Sequence, residues 1–275
     1  MKDSKWFAKP NLVIEPLYDR WYAWSHLISP ATAAMNIKGR HLKIMSSYIQ
    51  SPKIHQSAVK NPKMLGGPFM DFETERVKDI KDLKQETLQQ QEHNLELADA
   101  IKELDDLLKS KGKGFSLESL YEEVPEILKG YVELVYDLNN NPSFRFFEPL
   151  LYGSEFFNKA SQSIALWITD NDERPFCLST PRLNEPDVLH LPIPFDAPAI
   201  DELAKMKREG GSVDEIAKLL KVEEKDRALF DSFFTEEELP KYSKYDGPNV
   251  RMRYFGHACI LVETSEVSIL VDPLI

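Results

Sequence analysis

Apolar positions in the first half of this chain recur mostly at intervals of three, four and seven, the spacing that lines one face of a helix. Ser29-Pro30 offers an N-cap followed by proline at the first helical position, and Ala33, Ala34, Ile37, Leu42, Ile44, Met45 and Ile49 continue the face, with Gly39 weakening its middle. Ser51-Pro52 repeats the start signal for a shorter helix over 53–60, Asn61-Pro62 ends it, and Gly66-Gly67-Pro68 reads as a turn. From about 73 to 109, Val77, Ile80, Leu83, Leu88, Leu95, Ile101, Leu104 and Leu108 predict a long helical stretch. The stripe lapses at Gln89-Gln90-Gln91-Glu92-His93-Asn94, where a solvated or bent segment is expected. Two more helical pieces are expected over 117–138, the second at 126–138 and closed by Asn139-Asn140-Asn141-Pro142. Phe144, Phe146, Phe147, Leu150, Leu151, Tyr152, Phe156 and Phe157 read as core beneath these helices.

Elsewhere short apolar runs predict strands. Leu12-Val13-Ile14, stopped by Pro16, reads as an edge strand. Residues 164–168 and 176–178 read as a hairpin about Asp170-Asn171-Asp172-Glu173, with 188–191 as a third strand inside a Pro-rich extended passage over 181–198. Pro198 opens a helix through Met206, Gly210-Gly211 breaks it, and Ser212-Val213-Asp214-Glu215 is a capping box for a helix over 213–220. That helix and the segment 225–234 have the rhythm of a helix-turn-helix. The segment around the second helix, however, carries Glu223, Glu224, Asp226 and Asp231 against Lys225 and Arg227, which argues against a phosphate-seeking face. Residues 235–249, rich in Glu, Pro, Lys and Gly, read as a linker between a domain over 1–245 and a second unit over 250–275. In the second unit Val250, Met252 and Tyr254 alternate with Arg251 and Arg253 as in a half-buried strand. Residues 258–263 and 267–271 are apolar at nearly every position, as in strands covered on both faces. The expected fold class is α+β: a mainly helical N-terminal domain with a small antiparallel sheet, followed by a β-meander.

Composition narrows the function. With 275 residues, 42% of them hydrophobic, there is material for real cores. The formal charge of -11 opposes a nucleic-acid partner, so any basic surface must be local. No run approaches the ~18 apolar residues of a membrane span. The start, with Lys2, Asp3, Lys5 and Lys9 around Trp6 and Phe7, lacks an apolar leader. No membrane partner and a cytoplasmic location are expected. Cys177 and Cys259 belong to no Cys-x-x-Cys pair and read as buried reduced thiols. Tyr18, Trp21, Tyr22 and Trp24 read as a core or interface anchor, or more sharply as a surface for another chain. None of the six histidines has Glu three residues before it, as helical diiron cages require. His26, His41, His55, His93 and His190 lack ligand-like spacing and read as surface or hydrogen-bonded side chains. His257, in the turn Phe255-Gly256-His257-Ala258, reads as fixing that turn, and Asp272-Pro273 cannot bind a metal alone. Neither zincin, esterase, dinucleotide nor P-loop signatures occur.

Four segments in order carry a resemblance. They are Leu-Tyr-Asp-Arg-Trp-Tyr-Ala-Trp-Ser-His-Leu-Ile-Ser-Pro-Ala-Thr-Ala-Ala-Met-Asn-Ile at 17–37, Gly66-Gly67-Pro68-Phe69, Val-Glu-Leu-Val-Tyr-Asp-Leu-Asn-Asn at 132–140, and the Phe255-Gly256-His257-Ala258 turn. Together they resemble the amino-terminal half of the diiron non-haem β-hydroxylases of the chloramphenicol-pathway type. Residues 250–275 resemble the opening of a metallo-β-lactamase-fold domain, whose αβ/βα fold they would leave incomplete. The resemblance implies a second domain that binds two irons, activates O2 and hydroxylates the β-carbon of an amino acid held as a thioester on a carrier protein of a peptide synthetase. It also implies a homodimer formed through the N-terminal domain, which shapes access to the irons. The His-x-His-x-Asp-His loop of that family occurs nowhere in the sequence, so no catalytic, cofactor-binding or metal residue is carried over. The expectation is a chain truncated just after the second domain begins and non-catalytic alone. A free-standing carrier-binding protein and the front part of a metallo-β-lactamase-fold hydrolase are the alternatives. The meander, with Ile260, Val262, Ile269 and Val271 uncovered, is expected to be disordered, paired with another chain or folded back on the first domain.

Overall fold

The computed structural model describes residues 5–24, 27–114, 116–171, 173–238, 244–255 and 258–273. His26, His257 with Gly256 beside it, and residues 239–243 of the expected linker lie outside the described residues. The chain begins with strands β1 (Phe7–Ala8), β2 (Leu12–Tyr18) and β3 (Trp21–Tyr22). Helices α1 (Pro30–Asn36), α2 (Leu42–Gln50), α3 (Pro52–Val59), α4 (Val77–Gln90) and α5 (Glu92–Lys111) follow. A hairpin of β4 (Val132–Tyr136) and β5 (Pro142–Phe146) precedes the short α6 (Glu148–Tyr152), then β6 (Gln162–Ile168) and β7 (Leu189–Leu191). Helices α7 (Pro198–Lys205), α8 (Val213–Leu219) and α9 (Arg227–Asp231) lead to β8 (Phe234–Thr235) and the meander β9 (Arg251–Tyr254), β10 (Ile260–Glu263), β11 (Ser268–Val271).

The central sheet has the order β3-β2-β6-β7, antiparallel throughout, with β2 and β6 in register from Leu12↔Ile168 to Tyr18↔Gln162. On one face Leu12, Ile164, Leu166, Leu189 and Leu191 bury against Leu203, Phe230 and Phe233 of the α7–α9 region, forming one core. The edge strand expected at 12–14 is therefore an interior strand, and Pro16 does not stop it. Pro16 accepts a bond from the Ala23 amide at 2.9 Å. A residue's N–H and C=O leave a strand on the same side, so the donor that proline lacks would point where the two-residue β3 offers no paired partner. Pairing of β1 with β8 ties the beginning of the body to its end.

A second core joins α1, α5 and the β4–β5 hairpin through Ala34, Leu97, Leu104, Leu128 and Val132. A third joins Tyr18, Trp21, Ile37, Met45, Tyr48 and Ile80. The helix expected from Ser29 onward is continuous but changes gauge: residues Ile37–His41 around Gly39 form a π turn between α1 and α2. The expected helix over 126–138 is instead a turn at Glu126–Leu128 followed by β4. Gly130, at φ 82, breaks the helical path, and the alternation of apolar Val132, Leu134 and Tyr136, two of them β-branched or aromatic, then favours a strand. Asn139-Asn140-Asn141 closes the hairpin, with Asn140 at φ 59. Of the aromatic-rich stretch after it, Leu151 and Phe156 are core, whereas Phe147, Leu150 and Tyr152 are exposed. The expected strand at 176–178 is a run of turns, so β6 pairs with β7 instead.

In the meander β10 lies between β9 and β11. Met252 and Tyr254, expected to face inward, are each 68% exposed, and Ile269 and Val271 share that open character. The face bearing Arg251 and Arg253 is the covered one, because it closes over Glu263.

Candidate functional site

The central sheet has two unlike faces. Opposite the α7–α9 core, Glu15, Ala165 and His190 stand side by side in register across three strands, the small alanine separating the two ionisable residues. Glu15 is 1% exposed. Arg182 grips it with both prongs, Nε to Oε2 and Nη2 to Oε1, each at 2.8 Å, and Arg174 bonds to Oε1 as well. Planar two-pronged contact of this kind is what lets guanidinium groups accompany a carboxylate out of water. Arg182 also donates to the carbonyl of Thr180 at 2.5 Å, while the Arg182 amide donates to Arg20 O at 2.7 Å. The loop that carries both arginines is thus fastened to the β2–β3 turn. Arg174 lies over the Trp167 ring at 5.1 Å.

Above this centre opens a cleft of about 280 Å³, whose walls include Phe72, Trp167, Arg174, Cys177, Arg182 and Leu183. Its mixture of rings and fixed charges suits an apolar or aromatic group carrying a polar end. Cys177 is partly exposed and lies in a turn, and Cys259 is partly exposed and precedes β10, so neither is the buried strand thiol expected. His190 donates toward Leu183 O at 3.2 Å, and burial, then Arg20, hold its imidazole below the ordinary range.

A second buried polar cluster sits at the β2–β3 turn. Asp19 and Arg20 have φ of 48° and 70°, the two consecutive left-handed positions of a two-residue type I′ hairpin. Thr87 donates to Asp19 Oδ2 at 2.8 Å, Gln91 to Ser161 Oγ at 2.6 Å, and Asn94 to Gln91 Oε1 at 2.8 Å. The polar lapse between α4 and α5 is a helix break whose Gln89, Gln90, Glu92 and His93 are exposed as expected, whereas Gln91 and Asn94 turn inward and are buried. Burial pushes the Asp19 carboxyl up to about 7, with Glu86 adding to the rise while Thr87 and Arg20 oppose it. Burial likewise pushes the Tyr18 hydroxyl up to about 12.

Two further histidines are buried in the packing. His41 is buried and stacks on Trp21, ring centroids 3.9 Å apart and planes within 1°. His55 is buried, accepts from the Met70 amide at 2.9 Å and bonds to Ser47 Oγ at 3.0 Å, with burial lowering its pKa. The exposed His93 lies near Glu96 and Glu155. Among the described residues, no three of His, Cys, Asp and Glu are grouped as a metal ion needs. The described residues therefore do not fit a diiron centre, and no oxygen chemistry is routed through them. Glu15, Arg174 and Arg182 had no motif to announce them. The one available signal was a carboxylate inside the otherwise apolar run Leu-Val-Ile-Glu-Pro-Leu-Tyr.

The body is α+β, with a buried ion-pair centre on one face of a four-stranded antiparallel sheet and the apolar core of the α7–α9 region on the other. The chain belongs to the family described as the diiron non-heme beta-hydroxylase N-terminal domain, matched over residues 7–238. It is 30% identical over 278 residues to the 4-amino-L-phenylalanyl-[CmlP-peptidyl-carrier-protein] 3-hydroxylase of Streptomyces venezuelae, covering 98% of this chain and 52% of that protein. The crystal structure of CmlA, a diiron beta-hydroxylase from Streptomyces venezuelae, superposes with a TM-score of 0.81 at 31% identity, covering 99% of this chain and 51% of that one. A mutant form of CmlA beta-hydroxylase gives a TM-score of 0.80 at 30% identity, over 98% and 51%. The chain thus spans about half the length of the curated relative it matches. Among the described residues, no helix is long and apolar enough to cross a membrane.

Proposed function

We propose that these residues form the recognition and dimerisation part of a diiron monooxygenase that β-hydroxylates an amino acid held on a peptidyl carrier protein. The observation that carries this reading is the similarity along 98% of the chain to a hydroxylase whose substrate is named as carrier-bound. On this reading the body up to about residue 245 is one domain, and 250–275 opens the metal-binding domain. The chain pairs with a second copy and contributes no iron ligand of its own. The cleft over Glu15, with Trp167 and Phe72 in its walls, supplies a wall for the aminoacyl group or its tether.

The test combines three measurements on the purified chain. Sedimentation is expected to give a dimer, iron analysis less than one equivalent, and calorimetry saturable binding of an aminoacyl-loaded carrier domain. Two equivalents of tightly held iron, or hydroxylation of the loaded carrier by this chain alone, would overturn the reading.

A further inference from the structure

Charge is distributed unevenly along this acidic chain. Residues 20–70 contain seven Lys and Arg and no Asp or Glu, although the whole sequence carries -11. Within this stretch Lys43, Lys53, Lys60 and Lys63 are exposed, and none is in an ion pair among the described residues. Some lysines elsewhere are neutralised by ion pairs, Lys109 by Asp105, Lys129 by Glu126, Lys205 by Glu202 and Lys225 by Glu223, and others, such as the exposed Lys78, Lys81 and Lys102, stand next to an acidic residue in the chain. Lys38, also in the stretch, is neutralised by Asp99, and Glu73 reaches Gln56 at the border of α3.

The unpaired lysines surround apolar side chains. Ile54 is 62% exposed on the outer face of α3 beside Lys53, and Met64 and Leu65, at 43% and 65%, protrude from the turn at Pro62–Met64. This turn packs against α3. His55 and Ala58, on the opposite face of α3, are buried, and the His55 bonds to Ser47 and Met70 hold the helix to the body. The patch is therefore presented on a rigid support.

We propose that this patch docks an acidic protein surface with an apolar centre, and that the partner is the carrier protein; the proposal rests on the function inferred above. A chain with an excess of negative charge repels an acidic partner everywhere except where the sign is locally reversed, so such a region sets both encounter rate and orientation. The aliphatic centre excludes water from the contact while the lysines form its rim. A nucleic acid would reward arginine forks and stacking rings, which this patch lacks.

The experiment measures binding of holo peptidyl carrier domains, that of CmlP included, to three forms of the full chain. These are the unaltered protein, Lys53→Glu/Lys60→Glu/Lys63→Glu, and the charge-matched control Lys109→Glu/Lys205→Glu/Lys225→Glu. The patch variant is expected to weaken binding by about tenfold or more and to flatten its salt dependence, while the control shifts it by less than about twofold. Ile54→Ser/Leu65→Ser is expected to weaken binding with the salt dependence retained. All substituted side chains are exposed, and thermal melts within about 2 °C of the unaltered protein verify folding. If the unaltered chain binds no carrier, the function proposed above fails and this proposal with it. If it binds and the patch and control variants bind alike, the function stands and the docking site is wrong. Loss of self-association or of anionic-vesicle binding in the patch variant, with carrier binding intact, also overturns the docking site.

Discussion

Two buried glutamates in this chain are each held by two arginines, and they organise very different things. Glu15 draws Arg174 and Arg182 from 159 and 167 residues away, joining the second strand to a loop that no strand pairing fixes. Glu263 draws Arg251 and Arg253 from the adjacent strand, 12 and 10 residues away. The first pair closes a tertiary structure; the second pins a register. Around Glu15 the opposite sheet face is sealed by an apolar core, whereas around Glu263 the opposite face, bearing Met252, Tyr254 and Ile269, lies open. The same ionic device thus acts with a completed hydrophobic layer in one region and without one in the other.

Replacing Arg182 by Met tests the long-range pair and carries the largest expected effect. A loss of about 4 kcal/mol in global unfolding free energy is expected by chemical denaturation, because Glu15 keeps its burial and loses its two-pronged partner. An unchanged midpoint would equate the two glutamates.

Asp19 sharpens the comparison by showing what a buried carboxyl does without a guanidinium clamp of this kind. Its folded pKa is raised, so the native state binds more protons than the unfolded chain above about pH 4. The associated stability is complete below that pH and is lost as pH rises through about 7. Asp19→Asn keeps an acceptor for Thr87 and tolerates the left-handed backbone. It is expected to remove a slope worth on the order of 3 kcal/mol between pH 4 and 7, read from denaturation midpoints across that range.

Glu263→Gln is expected to cost about 2 kcal/mol, confined to the meander. Amide exchange would speed up over 251–271 while the body over 7–235 kept its protection. Loss of protection throughout would show that the meander is energetically part of the body. The smallest effect belongs to the open face: Met252→Lys with Ile269→Thr should change stability by less than about 0.5 kcal/mol while reducing concentration-dependent association in light scattering.

Much of the helical architecture was legible because it is local. Ser29-Pro30, Ser51-Pro52 and Ser212 to Glu215 place helix starts where the structure has them, and Ser212 Oγ accepts from the Glu215 amide at 3.3 Å. Errors arose where neighbours distant in sequence decide. The run 132–136 can satisfy either a helical or a strand period until β5 returns to pair with it. Pro16 looked like a strand end because the position of β3 could not be foreseen. Gln91 and Asn94 looked solvated because Tyr18 and Ser161, their partners, are 70 residues or more away. For the same reason the ion-pair centre under the cleft was invisible: its arginines sit in a turn-rich loop with no signature. The family resemblance could be read from four short segments, of which the first and third include the packed Trp21 and the left-handed Asn140.

The wide turn at Ile37–His41 joins two helices end to end but gives them separate bearings. Relative to an uninterrupted α-helix it rotates α2 by roughly a quarter turn against α1. Ala31 and Ala34 of α1 can then meet Leu97 and Ile101, while Met45 and Tyr48 of α2 meet Trp21 and Ile80. One rod is therefore clamped at either end by a different core, in the manner of a crankshaft held in two bearings.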